Sequence, residues 1–221
     1  GRIVGGHEAQ PHSRPYMAFL KTETTFCGGF LVAPSWVMTA AHCALGNITV
    51  VLGAHDIYEP ERTQQVRGVL RYYPHPDYDP GTVDNDIMLL KARRAERDGL
   101  NKYVKPVALP KSSSDLPAGT RCSVAGWGRI DKEQVTKRLF ETQVSIYSRR
   151  KCTRFYPALT NGMVCAGSFH ELRDASQGDS GGPLVCNDVA EGVVSFGYDS
   201  PPGVYARVAN YLPWISKVMK K

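Results

Sequence analysis

The sequence predicts an all-β protein built from antiparallel strands. Short β-branched and aromatic runs recur at residues 16–20, 26–32, 49–52, 65–70, 121–125, 139–145 and 189–196. Clusters of turn residues such as "PHPDYDPG" and "PKSSSDLPAG" separate them, a rhythm that suits an antiparallel barrel or sandwich. The one convincing helical pattern lies at the C-terminal end, which disfavours a parallel α/β fold. There Asn210 is placed to cap a segment whose Tyr211, Ile215, Val218 and Met219 share one face, with lysines toward its end. The Pro- and Ser-rich stretch 105–119 near the midpoint reads as a linker between two halves.

A chain of 221 residues holds one large all-β domain or two small ones, with ample apolar material for a core. It contains no apolar run of about 18 residues or more and begins "GRIVGGHEAQ", so it reads as a processed soluble protein without a transmembrane segment. Cys27, Cys43, Cys122, Cys152, Cys165 and Cys186 form no C-x-x-C pair and no cysteine–histidine cluster at zinc spacing. Disulfides in an oxidising compartment are the better reading, although spacing alone leaves their pairing open. Asn47 heads an N-x-T sequon that fits the same compartment as a glycosylation site.

The formal charge of +6 favours anionic partners such as heparin and other sulfated glycans, acidic membranes or nucleic acid. The basic clusters at 91–94, 148–154 and 217–221 carry no interleaved aromatics of the kind a nucleic-acid groove needs. Nucleic acid is therefore not an expected partner.

Hydrolysis of an acyl bond needs a nucleophile, a base near neutral pKa, a group that orients the base, and donors for the oxyanion. "TAAHC" presents His42, "DNDIMLL" presents Asp86, and "GDSGGP" presents Ser180 in a glycine-rich turn. Singly, each has a plain structural explanation as a packed histidine, a turn aspartate or a turn serine. Together they are joined by "IVGG" at 3–6, "CGGFLV", "LGAHDI", "VAGWGR", "GDSGGPLVC" and "PGVYARV". In this set the chain resembles the chymotrypsin/trypsin family of serine proteases over nearly all of residues 3–219.

The resemblance implies two six-stranded antiparallel β-barrels of chymotrypsin type with a C-terminal helix. It divides one peptidase domain into an activation dipeptide at 1–2, barrels at 3–108 and 109–208, and the helix at 209–221. His42 is then the general base and acid, Asp86 its orienting carboxylate, and Ser180 the nucleophile. Backbone N–H groups of Gly178 and Ser180 would meet the oxyanion. The implied disulfides are Cys27–Cys43, Cys122–Cys186 and Cys152–Cys165.

By the same resemblance, Asp174 lies at the floor of the primary specificity pocket, with Ser195, Gly197 and Gly203 as further substrate-binding positions. A carboxylate there selects Arg or Lys, because a neutral side chain leaves its charge unpaired. The alternative is that Asp174 pairs internally with a basic neighbour such as Arg173 and closes the pocket. Cleavage after Arg2 would free the Ile3 amine to pair with Asp179, a switch that sets the pocket and oxyanion loop in working geometry. If Arg2 is still joined to Ile3, the molecule is a zymogen.

The departures are specific. Ser176 and "FGYDSPPG" lack the two half-cystines that tie the pocket together in many trypsins, and Phe196 stands where trypsins usually carry Trp. Both features, with "PHSRPYMAFL" and "LGAHDIY", resemble the granzymes, mast-cell chymases and cathepsin G, whereas "DASQGDSGGP" resembles trypsins. Ala54 replaces the carboxylate that opens the trypsin calcium loop, so no metal and no cofactor are expected.

The implied function is a secreted or granule-stored, monomeric serine endopeptidase that cleaves proteins after Arg or Lys and meets serpin-type inhibitors. Two alternatives stand beside it: a self-inhibited protease resembling complement factor D, and a non-catalytic cationic antimicrobial or glycan-binding homologue.

Overall fold

The structure is a computed structural model that describes residues 6–94, 98–128, 137–167, 180–197 and 202–221. Among them, two closed six-stranded antiparallel barrels account for nearly all regular structure. The first closes in the order β2 (Met17–Lys21), β3 (Phe26–Ala33), β4 (Trp36–Thr39), β7 (Met88–Ala92), β6 (Gln65–Pro74), β5 (Thr49–Leu52) and back to β2. The second runs β9 (Phe140–Ile146), β10 (Met163–Gly167), β13 (Gly203–Arg207), β12 (Val189–Gly197), β11 (Pro183–Cys186), β8 (Arg121–Gly126) and back to β9. Closure removes the free strand edges that an open sheet exposes.

A short strand, β1 (His7–Glu8), adds to the outside of β9, so the residues just after "IVGG" lie on the second barrel before the chain enters the first. The stretch 105–119 connects the barrels without a helix or strand of its own. It is nonetheless fastened to both: Val107 N–H donates to Leu31 O at 2.9 Å, and Ala190 N–H donates to Ala108 O at 2.9 Å.

Side-chain alternation places Leu20, Phe30, Val50, Leu52 and Leu89 inside the first core, and Val124, Val144, Ile146, Leu184 and Val194 inside the second. Each fully buried side chain of this size contributes about 1.5–3 kcal/mol. Trp127 fills the seam between the barrels, fully buried and edge-on to Phe19 at 5.6 Å, with its indole N–H donating to His55 O at 3.0 Å.

Among the described residues two α-helices are present where the sequence pattern suggested one. The first, α1 (Arg149–Phe155), starts at Ser148, whose hydroxyl accepts from Lys151 N–H. From the sequence these residues read only as a basic cluster, a reading that passes over Ser148 as the capping signal. The second, α2 (Leu212–Met219), packs Ile215 and Val218 onto the first barrel's core. Asn210 does not cap it. A 3-10 turn over Val208–Tyr211 runs straight into α2, no side chain caps the junction, and Pro213 in the first turn has no N–H to offer.

Candidate active site

His42 sits in the 3-10 turn Ala41–Cys43 that follows β4, and Asp86 immediately precedes Ile87 and β7, the neighbour of β4 in the first barrel. This adjacency brings together residues 44 apart in sequence. Asp86 Oδ2 lies 2.6 Å from His42 Nδ1, while Oδ1 accepts from the His42 backbone N–H at 2.9 Å. One carboxylate thus grips both the ring and the main chain of the histidine.

The carboxylate faces Nδ1, so the proton belongs on Nδ1 and Nε2 is left as the basic nitrogen. Asp86 is 1% exposed while the His42 side chain is 31% exposed, which leaves the ring accessible and its orienting group dry. A third donor completes the carboxylate's shell: Ser195 Oγ–H donates to Asp86 Oδ2 at 2.6 Å. Ser195 had been expected among the substrate-binding positions. Its hydroxyl turns to the buried anion, since a carboxylate removed from water is costly without hydrogen-bond donors. Its backbone still belongs to β12.

Two phenols near Asp86 also stay protonated. Burial, followed by the charges of Asp86 and Asp79, raises the pKa of Tyr78, and burial with Asp84 and Asp86 pushes Tyr211 up to about 12. At neutral pH neither adds a second anion beside Asp86.

Ser180 comes from the second barrel, just ahead of β11, and is 8% exposed. Its carbonyl accepts from Gly28 N–H of β3 at 2.8 Å, a direct hydrogen bond between the barrels. On the next residue, Gly181 N–H donates to Val194 O at 2.8 Å. Gly181 has φ +88°, and a Cβ there would overlap Thr39 Oγ1 and the Gly28 carbonyl oxygen. Only glycine permits so close an approach in that conformation.

The Cys27–Cys43 disulfide links the residue before Gly28 to the residue after His42. The Ser180 turn and the His42 turn are therefore fastened to the same two-residue stretch of β3. The other disulfides are Cys122–Cys186 and Cys152–Cys165, and no described cysteine is free.

Gly197 and Gly203 pair across β12 and β13. Beside them Tyr156 stands edge-on to Phe196 at 5.6 Å and donates to Pro202 O at 2.5 Å. Asp174, Ser176, Gly178, Asp179, Arg2 and Ile3 lie outside the described residues. Asn47 is exposed. Among the described residues no group of three or more His, Cys, Asp or Glu side chains could hold a metal ion, and no helix is long and apolar enough to cross a membrane.

Residues 3–215 match the Trypsin family. Similar curated proteins include cathepsin G of Mus musculus, 47% identical with all of this chain and 87% of that protein covered. Duodenase-1 of Bos taurus is 48% identical with 100% and 90% covered, and granzyme H of Homo sapiens is 44% identical with 99% and 92% covered. Among solved structures, GrC superposes with a TM-score of 0.92 at 41% identity over 99% of this chain and 100% of that one. Neuropsin, a serine protease expressed in the limbic system of mouse brain, gives 0.91 at 39% identity over 98% and 100%. With its two closed barrels and the histidine–aspartate pair at their seam, the chain belongs to the trypsin family of serine proteases, among relatives that include cathepsin G and the granzymes.

Proposed function

We propose that the protein is an endopeptidase that cleaves after Arg or Lys through Ser180, His42 and Asp86. The grip of Asp86 on both His42 Nδ1 and the His42 N–H carries this reading. Ser180 Oγ attacks the scissile carbonyl carbon while His42 Nε2 accepts its proton. The oxyanion is met by the N–H groups of Gly178 and Ser180. The imidazolium then passes its proton to the leaving amine as the C–N bond breaks, and water, deprotonated by His42, attacks the resulting ester so that Ser180 Oγ leaves, takes back the proton and is freed. Asp86 stays ionised throughout and stabilises the imidazolium.

The preference for Arg or Lys rests on Asp174 in "DASQGDSGGP", together with glycines at 197 and 203 that leave room for a long side chain. Activity requires release of the Ile3 amine by cleavage after Arg2, so that the amine pairs with Asp179. Three disulfides and kinship with cathepsin G and the granzymes support a secreted or granule-stored enzyme acting on protein substrates.

A basic face supports binding to sulfated glycan as well. Lys91 Nζ donates to the Lys221 carbonyl oxygen at 2.9 Å, and Arg71 pairs with Lys91 in the β6–β7 ladder, so two of the three basic clusters converge. The third is partly neutralised, since Arg149 bonds to Asp115 at 2.9 Å. Heparin affinity that falls steeply with salt and is weakened by Lys91→Ala is the expected result.

The test of the enzymatic reading is cleavage after Arg2, confirmation of the Ile3 terminus, and assay of short Arg, Lys and Phe substrates beside a Ser180→Ala control. Rapid hydrolysis after Arg or Lys that Ser180→Ala abolishes is expected. A preference for Phe would refute the role of Asp174, and no hydrolysis at all would refute the reading as a whole.

A further inference from the structure

The turn that presents Asp86 is strained on one side and fastened on both. Asn85 has φ +56°, in the left-handed region that asparagine tolerates better than most residues. Its side-chain amide is engaged at both ends, with Nδ2 donating to Asp77 O at 2.9 Å and Oδ1 accepting from the Tyr211 hydroxyl at 3.0 Å. Asp84 Oδ1 accepts from Asn85 N–H at 3.0 Å and from Thr160 Oγ1 of the second barrel's connecting loop at 3.1 Å. On the other flank Ile87 N–H donates to Asn85 O at 2.9 Å.

Tyr211 is the far anchor. It is 3% exposed at the end of the 3-10 turn before α2, with its ring edge-on to His75 at 5.2 Å, and His75 lies 5.0 Å from Trp214 of α2. A Cβ on Gly162 would overlap the Tyr211 hydroxyl, so the second barrel closes over it. One hydroxyl therefore sits where the first barrel, the second barrel and the C-terminal helix meet.

We infer that Asn85 and Tyr211 are positioning residues for Asp86, and that the C-terminal helix sets the orientation of the carboxylate that holds His42. The inference rests on the triad reading above. Rotation at Asn85 moves Asp86, and both of its oxygens must reach His42 at once. Misplacement by about 1 Å in such a site is sufficient to slow an enzyme roughly a hundredfold. The titratable groups facing the turn are Asp77, Asp79, Asp84 and Arg207, with burial lowering the pKa of His75 and Tyr78 neutral, and all of these are left in place by the variants below.

The experiment compares full-length, Ile3-terminated protein with Tyr211→Phe, Asn85→Gly and Asn85→Asp. Its readouts are the downfield proton resonance of His42 Nδ1–H, the pH titration of His42, and kcat and KM on an Arg substrate. Tyr211→Phe should lower kcat about fivefold to tenfold with KM changed less than about twofold. It should also shift the resonance.

Asn85→Gly tolerates the left-handed backbone but loses both side-chain bonds, so it should lower kcat further. Asn85→Asp keeps an acceptor for the Tyr211 hydroxyl but sets its second oxygen against the Asp77 carbonyl oxygen, so it should also move the resonance and lower kcat. Variants that lose thermal stability while the resonance, the titration and kcat stay unchanged would overturn the inference. If the parent protein hydrolyses nothing but the resonance still moves in Tyr211→Phe, the positioning role stands and the peptidase reading falls.

Discussion

Replacing Gly181 with alanine tests how the second barrel delivers Ser180. At φ +88° an L-residue costs about 1–2 kcal/mol relative to glycine. The new methyl would also overlap Thr39 Oγ1 and the Gly28 carbonyl oxygen, and would lie 3.2 Å from Ala40 N. Two of these three neighbours are backbone and cannot rotate away, so overpacking adds about 1–3 kcal/mol. The sum is about 2–5 kcal/mol, or a fall in Tm of about 4–20 °C for a chain of this length. Relief of the overlap means moving the Ser180 carbonyl off Gly28 N–H, which shifts the nucleophile and should cut kcat about a hundredfold. Urea unfolding and steady-state kinetics read the two effects. A Thr39→Ala/Gly181→Ala double variant separates side chain from backbone, and should recover less than half the lost stability because Gly28 O remains in the way. A loss below about 0.5 kcal/mol with kcat intact would refute this account of the seam.

Other perturbations address the histidine–aspartate pair and its supports. Asp86→Asn presents a neutral amide to His42 Nδ1 and favours the wrong tautomer, so kcat should fall about 10⁴-fold with substrate binding retained, as kcat and KM will show. Ser195→Ala removes one of three donors to the same carboxylate and should cost about tenfold in kcat, a milder loss by the same assay. Replacing Cys27 and Cys43 together opens a loop spanning 16 residues and should lower unfolding free energy by about 3 kcal/mol in denaturant titrations. Tyr211 links stability to alkaline pH. Its folded pKa, raised by burial to about 12, exceeds the unfolded value near 10, so its contribution is complete below about pH 10 and is lost as pH rises toward about 12. Tyr211→Phe should flatten that part of a stability–pH curve.

Much of the architecture was legible because its determinants are local. The run at 49–52 is β5, and the runs at 26–32 and 121–125 each extend by one residue in the structure. Alternation and turn chemistry act over a few residues, so they can be read without knowing the partners. Helix α1 was missed because its charged residues outweighed its capping serine, and Asn210 was misassigned because a 3-10 turn supplied the start of α2. The motifs around His42, Asp86 and Ser180 named the chemistry through resemblance.

What the chain's own order could not reveal were the long-range meetings. Asp86 meets His42 across 44 residues and Ser195 across 109, and Tyr211 meets Asn85 across 126. Those contacts exist only once both barrels close and the C-terminal helix docks. The sequence by itself therefore determined about half of the strands and the family, and pointed to the reactive groups proposed above. The tertiary structure alone decided that Ser195 donates to the buried carboxylate, that Gly181 packs against β3 beside Ser180, and that Tyr211 reaches Asn85 next to Asp86. The physical reason is that a hydrogen bond to a buried charge is set by distances of about 3 Å in space, to which separation along the chain is indifferent.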